Sequence, residues 1–409
     1  MLRRITKLSG ENMNNTNKIM LKLLNQSLFN KKCTITQPVD WNSVINELKL
    51  QSVLAIPYSW AAKNIIIDEK IKSLWLEKVY IQAFRCMKIL EEQNELIKLL
   101  RSFNIDAAIM KGSSAAVYYP EPEFRAMGDI DFIVKPEDFD KCHSVMLKSG
   151  FEYAPYEKLL SYHISFVKND VHFELHKYPA GITESEIGKY LKELIFFGMD
   201  DIVYKQINEH IFPSLPRLQN GLVLLLHIEK HLKEGLGLRQ IIDWMMFVNT
   251  ELTDDIWDAE FKDVLEKSGL DVLAVTVTRL CQLYLGLRDD NITWCKNADE
   301  KLCSQLLDYI LEQGNFGVKK GESQHGVNVI SRTGSAASFI KSLQTNGINN
   351  WESLKKHPSL KYFAWLYQIF RYIKLIFKRE NSLKTLYKDF KESRKRKKML
   401  KQLGCYNTE

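Results

Sequence analysis

The chain has 409 residues, with 57 Lys and Arg against 50 Asp and Glu for a net charge of +7, and an ordinary apolar share of 45%; that is length and core material for two or three folded domains. Its seven cysteines are odd in number, scattered and without a Cys-x-x-Cys pair, which excludes a disulfide framework or a zinc site and points to free thiols in a reducing cytoplasm. Thirteen Lys and Arg face three acids between Arg371 and Lys401, so this tail supplies +10 and the rest of the chain is near −3, which excludes a basic nucleic-acid-binding body.

Met1 to Met20 holds no apolar run long enough for a signal peptide or a spanning helix. Lys18 to about Phe103 reads as helical. Asp40, after Pro38, is placed to cap a helix that starts at Trp41, and Ile71 to Phe103 repeats apolar residues at three and four spacing with neither Pro nor Gly to break it. The pattern changes near Asn104. Ile105 to Met110 is a short apolar strand running into Lys111-Gly112-Ser113-Ser114 and a brief helix, Ala115 to Tyr119, stopped by Pro120 and Pro122. Arg125 to Lys135 follows, R-A-M-G-D-I-D-F-I-V-K, whose apolar residues Ile130, Phe132, Ile133 and Val134 read as a buried strand. Pro136-Glu137-Asp138 opens a helix that Gly150 ends, and strands Ile164 to Lys168 and Val171 to His176 are joined by a tight Asn169-Asp170 turn.

Beyond about Glu184 the chain reads as helical, through Gly221 to Asn249, Trp257 to Leu287 and Asp299 to Glu312. Gly314 to Ala337, richer in Gly and Ser, reads as a mobile loop. Leu360 to Phe377 is an aromatic, apolar helix with Arg371 and Lys374 set into it, followed by Arg394-Lys395-Arg396-Lys397-Lys398. The simpler reading packs this segment on the helical region with a solvated basic end; the other is weak contact with an anionic membrane surface. The expected organisation is a helical region over 1–103, a compact α+β unit over 104–183, a helical domain over 184–350, and an aromatic helix with its basic tail over 351–409.

Asp129 and Asp131 stand two apart, so on a strand both carboxylates leave the same face. Such a pair repels unless a cation stands between its members, and Mg²⁺ or Mn²⁺, hard ions that prefer oxygen, suit it. Alone, Asp-x-Asp reads more readily as a strand entering a turn, where Asp caps or bonds its own backbone. Glu174 changes the balance. In His172-Phe173-Glu174-Leu175-His176, residues 172, 174 and 176 share one strand face, so a neighbouring strand can bring a third carboxylate to the pair. Three carboxylates complete a two-metal centre, in which ions about 4 Å apart activate an attacking hydroxyl and offset phosphate charge. At a strand-to-helix corner, Lys111-Gly112-Ser113-Ser114 supplies backbone N–H groups, hydroxyls and little bulk, which suits a triphosphate, although by itself it is a simple connection.

The order of apolar strand, Gly112-Ser113, Asp129-x-Asp131 and a later acid, Glu174, resembles the DNA polymerase β-like nucleotidyltransferase superfamily. Lys111-Gly112, Arg125 ahead of Gly128-Asp129-Ile130-Asp131, and Glu174-Leu175-His176 are similar to a poorly characterised bacterial nucleotidyltransferase family within it. The likeness continues through His227-Ile228-Glu229-Lys230-His231, Arg239 and Asp243-Trp244, and covers roughly Trp41 to Gly317. It implies an α+β, polymerase β-like core, a small mixed sheet with helices, flanked by mainly helical regions. It also implies two Mg²⁺ or Mn²⁺ ions at Asp129, Asp131 and Glu174, and an NTP cradled by Gly112 and Ser113. Lys111 and Arg125 are then phosphate cations or partners of the carboxylates, and His176, His227, His231, Arg239 and Asp243 surround the nucleotide or acceptor.

Read on their own, His227 and His231 share one helix face as an ordinary structural or solvated pair; with Arg239 and Asp243 they make a polar wall. Zinc at the two His lacks a third ligand, and H-I-E-K-H does not follow the H-E-x-x-H order. The resulting expectation is a cytoplasmic metal-dependent nucleotidyltransferase that moves an NMP from an NTP to an acceptor hydroxyl or phosphate, with peripheral contact at the inner membrane surface as the tail's alternative role. The expected acceptor is a small molecule, a peptide product or a glycan precursor rather than a polynucleotide. Two rivals stand beside it. A glycosyltransferase holding a sugar nucleotide through Asp-x-Asp leaves the Gly-Ser turn and Glu174 unexplained; a non-catalytic binding or antitoxin-like module leaves the three acids without a task.

Overall fold

The structure is a computed structural model that describes residues 13–31, 35, 38–154, 162–319, 336–351, 353, 358–377 and 382–405. Four helices come first: α1 (Asn15–Phe29), α2 (Trp41–Leu50), α3 (Tyr58–Asn64) and the 34-residue α4 (Glu69–Ser102). Asp40 caps α2 as expected, accepting from Ser43 N at 3.1 Å, and Asp68 caps α4 by accepting from Lys70 N and Ile71 N. Each cap satisfies N–H groups that a first helical turn leaves unpaired.

The α+β part follows as β1 (Ala107–Met110), α5 (Gly112–Ala116), β2 (Asp129–Val134), α6 (Phe139–Lys148), β3 (Glu152–Tyr153), β4 (His163–Lys168) and β5 (Val171–His176). Then α7 (Glu186–Phe197) leads to β6 (Val203–Ile207) and β7 (His210–Ser214). Among the described residues, seven strands form one mixed sheet in the order β3-β4-β5-β2-β1-β7-β6. The β6–β7 hairpin corrects the reading of an unbroken helical run after Glu184. Its first strand, Val203-Tyr204-Lys205-Gln206-Ile207, lies at the sheet edge and is mostly exposed, so it carries no apolar run to announce it, and Asn208, at φ 51°, closes its turn.

The rest is helical: α8 (Arg217–Glu234), α9 (Leu238–Glu251), α10 (Lys262–Ser268), α11 (Asp271–Leu280), α12 (Glu300–Gln313), α13 (Ala336–Asn350), α14 (Ala364–Phe377) and α15 (Ser382–Gln402). Of the stretch read as a mobile loop, residues 320–335 lie outside the described residues, while Asn315–Gly317 form a tight turn kinked at Phe316 and Ala336 starts α13. The end of α15 docks on the bundle. Met399, Leu400 and Leu403 are buried, and Arg396 lies over the Tyr309 ring and donates to Leu232 O at 2.8 Å. Among the described residues no helix is long and apolar enough to cross a membrane, and Cys86, Cys142, Cys281, Cys295, Cys303 and Cys405 are buried free thiols.

Two apolar cores hold these parts together. One lies between the sheet, α6 and the C-terminal half of α4; the other joins α1–α3 to the helices that follow the sheet and to the end of α15. Alternation along the strands divides them: Ile109, Ile130, Phe132 and Val134 enter the first core, while Ala108, Met110 and Ile133 enter the second. Asp129 and Asp131 share the second face. The acids therefore project from the sheet toward the helical body.

Candidate active site

Strand pairing assembles the three acids. The parallel pairing of β2 with β5 sets Asp131 beside Glu174 and Asp129 beside His172, and the antiparallel pairing of β1 with β2 ends with Met110 beside Asp131. Carboxylate oxygens of Asp129, Asp131 and Glu174 all lie within 4.8 Å of one another. β5 is interior to the sheet, between β4 and β2, so Glu174 is not an edge residue; 20% of its side chain is exposed.

Two basic groups already stand among these acids. Lys111 Nζ lies 2.6 Å from Asp131 Oδ1, and His176 Nε2 lies 2.8 Å from the same oxygen and 3.2 Å from Glu174 Oε2. Burial would lower the Lys111 ammonium, but Asp131, Glu174 and Asp129 hold it above its ordinary value. Burial likewise would raise the Asp131 carboxyl, and Lys111 and His176 keep it well below the usual range. Among the described residues no hydrogen bond or ion pair of this kind reaches Asp129, although Lys111 and Arg239 act on it from a distance. Desolvation, then the charges of Asp131 and Glu174, push its carboxyl up to about 6. Three carboxylates whose oxygens lie within 4.8 Å of one another are a donor set that fits a divalent, oxygen-seeking ion.

The corner between β1 and α5 is strained at Lys111, which holds φ 50° and ψ −132°, and Gly112 follows at φ 29°. Ser113 Oγ donates to Gln93 Oε1 of α4 at 2.5 Å, and Ser114 Oγ meets Ser214 Oγ at 2.6 Å. These hydroxyls fix the corner in place.

Arg125 and Asp243 meet each other. The guanidinium donates from Nε and Nη2 to Asp243 Oδ1 and Oδ2 at 3.0 and 2.6 Å, and Tyr119 Oη adds a bond to Oδ1 at 2.7 Å. Both expected cations, Lys111 and Arg125, are thus partners of carboxylates here. Arg239 instead donates from Nη1 to Ala126 O at 3.0 Å, tying α9 to the loop before Asp129. His227 and His231 share one hydrogen bond, Nε2 to Nε2 at 2.9 Å, so one imidazole donates and the other accepts. Burial and nearby positive groups keep both neutral: His231 is pushed down to about 3 and His227 falls well below its ordinary value. Lys111, Arg239 and Asp131 act on both rings, which puts the pair in the electrostatic neighbourhood of the acids.

Four residues here escaped the sequence reading. Gln93 and Tyr119 act from neighbouring elements and leave no local signal. Phe316 holds φ 54°, is 58% exposed, packs its ring 5.0 Å from that of His231 and lies under Arg239 Cζ at 6.0 Å. His163 stands directly opposite His176 in the β4–β5 hairpin; the Asn169-Asp170 turn, had its register been counted outward, would have shown it.

Asp129, Asp131 and Glu174 form a group that could hold a metal ion, with the Lys111-Gly112-Ser113 corner beside Asp131. No curated protein matches the chain. A family model described as uncharacterised nucleotidyltransferase matches residues 37–286, more than half of the chain and all of the site from Lys111 to Asp243, and the protein belongs to that family.

Proposed function

We propose that the protein is a cytoplasmic, metal-dependent nucleotidyltransferase that moves a nucleoside monophosphate from an NTP to a hydroxyl or phosphate oxygen of an acceptor and releases pyrophosphate. The register that brings Glu174 beside Asp131, next to the Lys111 corner, is the observation that carries this reading. The catalytic core is assigned to residues 104–183, on a polymerase β-like plan, with helical regions over 1–103 and 184–350 and a tail over 351–409. The tail is assigned to packing on the bundle, where Arg396 and Leu400 are buried.

Two ions, Mg²⁺ or Mn²⁺, held by Asp129, Asp131 and Glu174, would activate the acceptor oxygen and offset phosphate charge. The residues divide the remaining tasks. Glu174, partly exposed, takes the acceptor proton as the acceptor oxygen bonds to the α-phosphorus and the bond from that phosphorus to pyrophosphate breaks. Backbone N–H groups of Gly112 and Ser113, in a first helical turn, bind the β- and γ-phosphates, and Lys111 adds positive charge beside them. Arg125, committed to Asp243, positions the loop that leads into Asp129. His176 orients Asp131 and Glu174, while Arg239, His227 and His231 hold the nucleotide or acceptor. The acceptor class is a small molecule, a peptide product or a glycan precursor.

The test is pyrophosphate release and label transfer from each α-labelled NTP, with Mg²⁺ or Mn²⁺ and a cell extract as the source of acceptors. Transfer that needs the metal and vanishes in Asp129→Asn plus Asp131→Asn is the expected result. A nucleoside diphosphate released from a sugar nucleotide would move the reading to glycosyl transfer. Absence of transfer, together with absence of metal-dependent NTP binding by calorimetry, would sink it and leave a binding module.

A further inference from the structure

The β4–β5 hairpin brings a second set of donors to the same patch of sheet. His163 stands across from His176 and Ser165 across from Glu174. Donor atoms of His163, Glu174 and His176 all lie within 4.8 Å of one another. Glu174 divides its two oxygens between the rings: Oε1 is 3.8 Å from His163 Nε2 and Oε2 is 3.2 Å from His176 Nε2. Both imidazoles are buried, at 4% and 0% exposure, so each is held by the sheet with little freedom to turn away.

These separations suit a shared cation. Two ligands about 2.1 Å from one ion stand about 3.0 Å apart at a right angle and about 3.4 Å apart at a tetrahedral angle. The observed 3.2 Å to Oε2 and 3.8 Å to Oε1 bracket the second value, and the donor atoms of the three residues all lie within 4.8 Å of one another. Two imidazoles and one carboxylate with an open position are the ligands of a transition ion; Mg²⁺ takes oxygen and holds its waters.

We propose that His163, Glu174 and His176 form a cation subsite for a first-row transition ion, tested with Mn²⁺, that adjoins the Asp129, Asp131 and Glu174 site and shares Glu174 with it. The proposal extends the metal-dependent reading given above by setting which ion the centre prefers. Binding replaces the Nε2–H bond from His176 to Asp131 Oδ1 with a metal–nitrogen bond. The proton that Nε2 gives up is released to solvent, as happens when a metal takes a protonated ligand atom.

Mn²⁺ binding to the full chain without nucleotide, followed by electron paramagnetic resonance, tests this directly. Nitrogen hyperfine coupling from imidazole is expected in the native protein. His163→Gln should weaken Mn²⁺ binding roughly tenfold or more, as loss of one ligand does, while leaving Mg²⁺ binding by calorimetry within about twofold. An uncoupled Mn²⁺ spectrum overturns the proposal, and so does a His163→Gln protein with native coupling and affinity. The native spectrum is decisive even when the variant fails to fold. No nucleotide enters the measurement, so a failure of nucleotidyl transfer leaves this result standing. Transfer supported equally by Mg²⁺, with no imidazole coupling, would retain the function and discard the subsite.

Discussion

Arg125 and Asp243 lie 118 residues apart in sequence and form a two-pronged pair with both side chains almost fully buried. A buried pair of this kind contributes modestly when intact, yet removing one partner leaves a charge without water or counterion. Asp243→Asn is therefore expected to lower the unfolding free energy by about 3 kcal/mol in urea denaturation. Arg125→Met with Asp243→Leu should cost less than the sum of the two single changes, since no orphaned charge remains. The His227–His231 pair makes a pH-dependent contribution. An unfolded His titrates near 6.5, whereas folded His231 is pushed down to about 3 by burial, then by Lys230, Arg239 and Lys111, with Asp131 opposing. Between those values the unfolded chain binds the extra proton, so stability is full above about pH 6.5 and falls with acidification. At pH 5 the loss from His231 is expected to be about 2 kcal/mol. The drop in urea midpoint from pH 7 to pH 5 should shrink in His231→Gln; an unchanged drop would show that other groups cause it.

At the scale of elements, the parts legible in the sequence were those with a local signature. Ile130 to Val134 declared a buried strand, Asn169-Asp170 a hairpin turn, and Asp40 a helix start, and each stands where its residues indicated. The two aspartates were legible because their spacing matches the period of a strand. Glu174 could be placed on the same side of its own strand, but its position beside Asp131 depends on a parallel pairing that no local pattern encodes. The β6–β7 hairpin was missed because its first strand is largely exposed and carries mixed polar residues. The partners of Arg125 and Lys111 were legible only as a choice. A cation near acids serves phosphate or carboxylate equally well in one dimension, and only the fold shows Asp243 meeting Arg125 and Asp131 meeting Lys111. Phe316 had no signal at all. It is positioned by its N–H bond to Gly235 O at 3.1 Å, and a Cβ at Gly235 would lie 2.2 Å from Gly317 N, so the two turns approach as closely as backbone allows.

On the scale of the whole molecule, the sheet joins two bodies of apolar packing, and the acids sit on the face that meets the larger one. β2 and β5 lie side by side, yet α6, β3 and β4 intervene in the chain between them. Helices and the β4–β5 hairpin can form from neighbouring residues, whereas the β2–β5 contact must wait for a crossover to close. Assembly of the centre therefore belongs to the late stage of folding. In refolding from urea, far-UV circular dichroism is expected to recover before Mn²⁺ binding does, as followed by stopped-flow and by quenched sampling; simultaneous recovery would place the crossover in the early nucleus. A newly made chain can then hold most of its helix and still be chemically silent, so the reactive arrangement never precedes the body that encloses it.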